Sequence, residues 1–139
     1  MIYDKRKCRK GFTLIELMVV LFIIGILSAI AIPYMRGRTD ASKWSEGKAM
    51  AGTIRTAIRT LHAELGKGYD YSTVTTLTQL GFAAHDLDGR YFKDGDFDFS
   101  ITDSDPLEYI ITITAHAATS PEAPINPTSM TLDQDGTFN

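Results

Sequence analysis

The chain has a single cysteine, Cys8, and it lies in a basic stretch before Gly11, so nothing downstream can form an internal disulfide. Disulfide stapling and thiol chemistry are thereby excluded for the bulk of the protein. An oxidising compartment is permitted without being required. No Gly-x-Ser-x-Gly elbow, phosphate-binding loop or Cys-x-x-Cys pair occurs, and His62, His85 and His116 have no ligand spacing, so no catalytic residue, metal centre or cofactor is signalled. Positive charge is scarce after the N-terminus. Five of the 14 Lys and Arg residues (Lys5, Arg6, Lys7, Arg9, Lys10) and one of the 17 acids (Asp4) precede Gly11; without them 9 basic residues face 16 acidic ones, a net charge of −7 against −3 for the whole chain. Such an acidic body offers little to the phosphates of a nucleic acid.

What the sequence does have is one long apolar run. From Phe12 to Ile32 only Thr13, Glu16, Gly25 and Ser28 interrupt it. As a helix the run rises roughly 30 Å, the thickness of a bilayer's hydrocarbon core. The basic stretch before it predicts an N-terminus held in the cytoplasm, with everything after Pro33 outside. Pro33 lacks the amide that would bond to Ala29 and is expected to kink or locally melt the helix, in a region that Gly37 weakens further. Glu16 is the odd residue, because an ionised acid within a membrane segment is costly unless it snorkels to water or finds a partner.

Beyond Pro33 the helical period persists. Trp44, Gly47, Ala51, Ile54, Ile58, Leu61 and Leu65 recur at spacings of three and four, an amphipathic stripe, with Lys43, Lys48, Arg55 and Arg59 expected to face water or neighbouring subunits. Gly66 and Gly68 mark the helix end. A short threonine-capped helix is expected over Thr75 to Leu80, closed by Gly81. Phe97, Phe99 and Ile101, then Tyr109, Ile111 and Ile113, alternate with polar residues at strand period around a turn at Asp103 to Pro106. Pro121, Pro124 and Pro127 imply an extended loop, and Met130 to Phe138 reads as a closing hairpin around Asp135-Gly136. The fold class is α+β: a long N-terminal helix with a small antiparallel sheet lying on its amphipathic half. Asp94, Asp96 and Asp98 imitate the start of a calcium loop, but Phe99 stands where that loop needs glycine and the stretch alternates like a strand; convergence of the loop acids, with Asp86, Asp88, Asp133 and Asp135, on a weakly bound calcium stays open.

The segment "KGFTLIELMVVLFIIGILSAIAIP" (Lys10 to Pro33) resembles the N-terminus of type IV prepilins and of the related type II secretion pseudopilins. The resemblance implies the pilin fold and a set of site residues. A prepilin peptidase would cut after Gly11 and methylate the new amino group of Phe12, and Glu16 would pair with the freed amine of a neighbouring subunit. The short leader and the phenylalanine look like the type IVa or pseudopilin class. The expected organisation is a leader over residues 1–11, a transmembrane and filament-core helix over 12–33, an amphipathic helix over 34–66, and a variable loop with C-terminal β-sheet over 67–139. Pro33, with Gly25 and Gly37, is the expected place for the helix to kink or stretch. A different processing signal also exists: Ala29, Ile30 and Ala31 offer ordinary signal peptidase a small-x-small site, a reading that leaves Gly11, Phe12 and Glu16 unexplained.

The resemblance implies a major pilin of a type IV pilus, polymerised into an extracellular helical filament that serves adhesion or motility. Its implied partners are copies of itself, the prepilin peptidase, an inner-membrane assembly platform and a cytoplasmic assembly ATPase. As a precursor it would sit in the inner membrane as a single-pass protein. Alternatives are a pseudopilin of a periplasmic secretion pseudopilus or a minor pilin at a binding tip. The chain lacks the Asp-Pro-Trp-Gly stretch of the main secretion pseudopilin and the C-terminal disulfide loop of typical type IVa major pilins, so closure of the sheet is left to packing and hydrogen bonds.

Overall fold

The structure, a computed structural model, describes residues 11–116 and 120–139; the basic stretch with Cys8 lies outside the described residues. The chain forms two compact units, one ending at Arg36 and one running Gly37–Asn139. Helix α1, Leu14–Leu65, contributes to both. It runs unbroken through Gly25, Pro33 and Gly37. Its front is helical for a simple reason: with apolar side chains on every side, only a helix satisfies the backbone amides internally. Among the described residues α1 is the one helix long and apolar enough to cross a membrane. None of the front's large apolar side chains is covered, and seventeen of them from Phe12 to Met35 are 48–80% exposed.

The second unit is where burial begins. The stripe read from the sequence packs inward: Trp44, Gly47, Ala51, Ile54 and Ile58 are buried, Leu61 is half-buried, and Leu65 at the helix end is exposed. The helix stops where Gly66 turns into the left-handed region at φ 75°, its amide still bonded to the His62 carbonyl at 2.9 Å. Against the stripe lies a three-stranded antiparallel sheet in the order β1 (Phe97–Ser104), β2 (Leu107–Thr114), β3 (Ser129–Asp133). The register pairs Phe97 with Ile113, Phe99 with Ile111 and Ile101 with Tyr109, which puts all six side chains on one buried face; Leu132 of β3 joins them opposite Ile111. Gly47 is glycine for a packing reason. A Cβ there would meet the Phe92 ring at 2.9 Å, and Phe92 itself packs on Trp44 with ring centroids 5.0 Å apart.

Three expectations are modified. The segment before Gly81 is a 3-10 turn over Leu77–Leu80, too short for an α-helix; Thr76 does precede it, and the Gln79 carboxamide oxygen accepts the Thr75 and Thr76 amides at 2.9 and 3.0 Å. The closing hairpin reduces to a single bridge, Leu132 to Phe138, with Thr131 and Asn139 exchanging backbone bonds of 2.8 and 2.9 Å. Its turn is drawn tight by the Asp133 carboxylate, which accepts the amides of Asp135 and Thr137 at 3.1 and 2.8 Å. The helix cations bind within their own unit. Arg55 donates to the Tyr109 hydroxyl at 3.1 Å and, with Arg59, to the Gln134 carbonyl at 3.0 Å each, while the Lys48 ammonium sits 5.1 Å from the centre of the Phe138 ring. Sequence period places these residues off the apolar stripe correctly, but the C-terminal turn folds over them.

Arg55 therefore holds the end of a chain that has no cysteine there to hold it. Arg55→Ala is expected to cost about 1–3 kcal/mol, the penalty of leaving buried partners unbonded. Amide exchange over residues 129–139 should accelerate before that of β1 and β2 does. Gly47→Leu is expected to destabilise by about 1–3 kcal/mol through overpacking against Phe92, read from denaturant unfolding of the detergent-solubilised protein.

Candidate assembly site

The expected processing and assembly residues lie together at the free end of α1. Gly11 to Thr13 carry no regular structure and are exposed, with Phe12 at 80%. Helical structure starts at Leu14 because Thr13 and Glu16 close a capping box. Glu16 Oε2 accepts the Thr13 amide at 2.9 Å and the Thr13 hydroxyl at 2.8 Å, and the Glu16 amide donates back to Thr13 Oγ1 at 3.3 Å. The apparently lone acid is thus the helix's own N-terminal cap, placed where the helix dipole favours negative charge. Its other oxygen, Oε1, makes no hydrogen bond among the described residues. One carboxylate can therefore keep its cap and still accept an incoming cation.

Thr13 is the capping residue that single-residue inspection overlooks. The Thr-x-x-Glu spacing just before an apolar run is a capping-box signature and would have found it. Gly25 and Gly37 lie further along the helix, where a Cβ would meet nothing within 4 Å among the described residues, so no contact there requires a glycine at either position.

The loop acids are brought together differently from the sequence expectation. Asp94, Asp96 and Asp98 engage three separate partners. Asp94 accepts the Leu87 amide at 2.9 Å, buried Asp96 accepts the Lys93 amide at 2.8 Å and meets His116 Nδ1 at 2.9 Å, and Asp98 accepts the Phe99 amide at 2.9 Å. A closer group is formed by His85, Asp88 and Asp94, whose ligand-type atoms lie within 4.8 Å of one another. These carboxylates already serve the loop backbone. The Asp94 amide holds the Asp88 carboxyl below the usual carboxylate range, against the opposing effect of burial, and the Lys93 ammonium stands 3.8 Å away. The histidines follow suit: His62 Nε2 lies 2.9 Å from the Ser104 carbonyl, a bond that ties the helix end to β1.

Residues 6–32 match the model of the prokaryotic N-terminal methylation motif. The chain is similar to the type IV major fimbrial protein FimA of Dichelobacter nodosus, 43% identical over 79 residues that cover 57% of this chain and 51% of that protein. It is also similar to the type IV major pilin protein PilE1 of Neisseria gonorrhoeae, 35% identical over 88 residues covering 62% and 50% of the two chains. A third similarity is to the type IV major pilin protein PilA of Myxococcus xanthus, 42% over 74 residues, 53% of this chain and 31% of the other. The chain thus spans at most about half the length of these relatives. No solved structure matches the chain.

Replacing Thr13 by valine removes the hydroxyl that donates to Glu16 Oε2 and accepts the Glu16 amide, and leaves the Thr13 amide as the carboxylate's one donor in the cap. The amides of the first helical turn should then exchange roughly fivefold faster in micelles, the loss expected for an N-cap. Amides after Trp44 should be unaffected.

Proposed function

We propose that the chain is, through its N-terminal segment, a member of the type IV prepilin family and the major structural subunit of a type IV pilus. The observation that carries this reading is the exposed front of α1: an apolar rod with a capped carboxylate at its tip. Such a surface is stable only in lipid or against other copies. The precursor sits in the inner membrane with its N-terminus cytoplasmic. Prepilin peptidase cuts after Gly11 and methylates the amine of Phe12. That single cut removes the basic stretch that resists withdrawal from the membrane and creates the cation for Glu16 Oε1 of a neighbouring copy. An inner-membrane platform and a cytoplasmic ATPase drive extraction, and the filament is extracellular. The subunit is structural, without a catalytic role or cofactor.

Pro33, Gly25 and Gly37 are the positions at which the helix kinks or stretches as copies pack. In support, neither glycine meets a close neighbour within the chain, so the absence of a side chain there serves another molecule or the backbone itself. The secretion pseudopilin is the less favoured alternative, since the relatives described above carry the names of major pilins and fimbrial proteins.

Mass spectrometry of subunits from sheared surface filaments should return a chain that begins at Phe12 with one added methyl group. Glu16→Ala should leave a processed chain in the membrane and lower filament yield by on the order of tenfold or more, since the removed acid no longer sets the register between apolar helices. A mature chain that begins at Ile32, or Glu16→Ala filaments as abundant as the parent's, would sink the reading.

A further inference from the structure

We propose that the flank of α1 that carries Lys48, Arg55 and Arg59 binds a phosphate group, free or as a monoester, seated between the Arg55 and Arg59 guanidiniums. Binding there needs only the folded second unit and is independent of any filament.

Lys48, Arg55 and Arg59 recur at spacings of seven and four, which places them along one flank of the helix. Gly52 falls between them at spacings of four and three, so no acid interrupts the row. Like charges one turn apart repel. The fold adds to that repulsion. Arg55 Nη2 and Arg59 Nη2 both donate to the Gln134 carbonyl at 3.0 Å, which gathers two guanidiniums around one neutral oxygen. In the same unit Lys43, Lys67, Arg90 and Lys93 each stand within 4.0 Å of a carboxylate. Among the described residues Lys48, Arg55 and Arg59 have no such partner. The facing turn does not supply one, since the Asp133 carboxylate is taken up by the amides of Asp135 and Thr137. Arg55 is half-buried, and a cation withdrawn from water without a counter-charge is costly.

The ligand class follows from the donors left over. A guanidinium has five N–H groups. Arg55 spends one on the Tyr109 hydroxyl at 3.1 Å and one on Gln134, and Arg59 spends one on Gln134, so three and four remain without an acceptor among the described residues. A carboxylate has two oxygens, and the fork of a single guanidinium occupies both. A phosphate monoester has three peripheral oxygens and a charge of about −1.5 to −2 near neutral pH, so it can bond to both guanidiniums at once and match both charges. Lys48, whose ammonium lies 5.1 Å from the centre of the Phe138 ring, adds positive field at the near end of the row. Size is limited by the rest of the surface. Setting aside Arg36 and Glu16 of the front, the second unit has 8 Lys and Arg against 15 Asp and Glu, which repels a long polyanion and leaves a single phosphate group as the ligand that fits.

The test uses the full chain in maltoside micelles, labelled with nitrogen-15 so that the arginine Nε–H signals report on each guanidinium. Near neutral pH, inorganic phosphate and methyl phosphate should each shift the Arg55 and Arg59 signals saturably, while acetate should need roughly tenfold higher concentration for the same shift. Arg59→Gln, at an exposed position, should weaken phosphate binding roughly tenfold, the loss of charge-assisted hydrogen bonds. Arg59→Lys keeps the charge without the fork and should weaken it less. Arg90→Gln removes a guanidinium elsewhere, one paired with Glu122, and should leave the affinity as it was. Saturation by inorganic or methyl phosphate assigns the seat to a soluble ligand, and a response confined to phosphatidic acid mixed into the micelles assigns it to the phosphate of a lipid headgroup. Phosphate that in all three forms binds no tighter than acetate would overturn the proposal. So would equal affinity for the parent and Arg59→Gln, which would leave these cations as ties for the C-terminal turn alone.

Discussion

The exposed apolar front of α1 is the constraint on which the account of this molecule depends. Seventeen large apolar side chains stand in the open between Phe12 and Met35. At about 1.5–3 kcal/mol each, their exposure to water would cost roughly 25–50 kcal/mol, more than the whole stability of a small domain. Release into water is therefore excluded. Lipid covers the rod as well as a sister helix does, however, so burial alone gives no preference for the filament. In the proposed filament the preference comes from close packing and from polar pairing at the tip. Glu16 fits that need because its cap on Thr13 uses only one carboxylate oxygen. On the proposed reading the acid does not have to surrender its cap to gain a cation.

The second unit faces a different difficulty, which is to stay folded with a small core and no disulfide. Long-range polar contacts to backbone carbonyls and amides take up that work. Arg55 and Arg59 reach across to the Gln134 carbonyl, and Gly136 lies so close to Arg55 that a Cβ would meet its guanidinium at 3.0 Å. At the other end, Trp44 donates to the Pro127 carbonyl at 3.1 Å, and buried Asp40 accepts the amides of Ile125 and Asn126 at 3.3 and 3.2 Å. The proline-rich loop and the final turn are thus both fastened to the same helix. No buried side-chain nitrogen or oxygen among the described residues lacks a hydrogen-bond partner, which is what a small core can least afford to neglect.

Periodicity made much of this legible. The stripe from Trp44 to Ile58 and the alternation in Phe97 to Ile101 and Tyr109 to Ile113 state which face is buried, and the structure buries those faces. What sequence period does not carry is the identity of polar partners. Arg55 finds a carbonyl 79 residues away, and every residue has a carbonyl, so nothing in the sequence marks Gln134. The same holds for Asp40 and the amides 85 and 86 residues on. The Thr13–Glu16 cap was legible from its spacing, yet an acid in an apolar run draws attention to itself and away from the threonine before it. The character of one face of α1 was hidden for the opposite reason. Thr53, Thr56 and Thr60 read as a polar face, and only the fold reveals that their hydroxyls are turned onto their own helix.

If copies of the rod replace lipid for one another, the amine of one chain must lie against the carboxylate of a different chain. Solid-state NMR on filaments assembled from two subunit pools, one labelled with nitrogen-15 and the other with carbon-13, isolates that contact. Magnetisation should pass from the Phe12 amine nitrogen of one pool to the Glu16 carboxyl carbon of the other, at a distance near 4 Å. Transfer seen only in uniformly labelled filaments, and absent between the pools, would mean that each Glu16 answers its own chain and that something else holds the rods together.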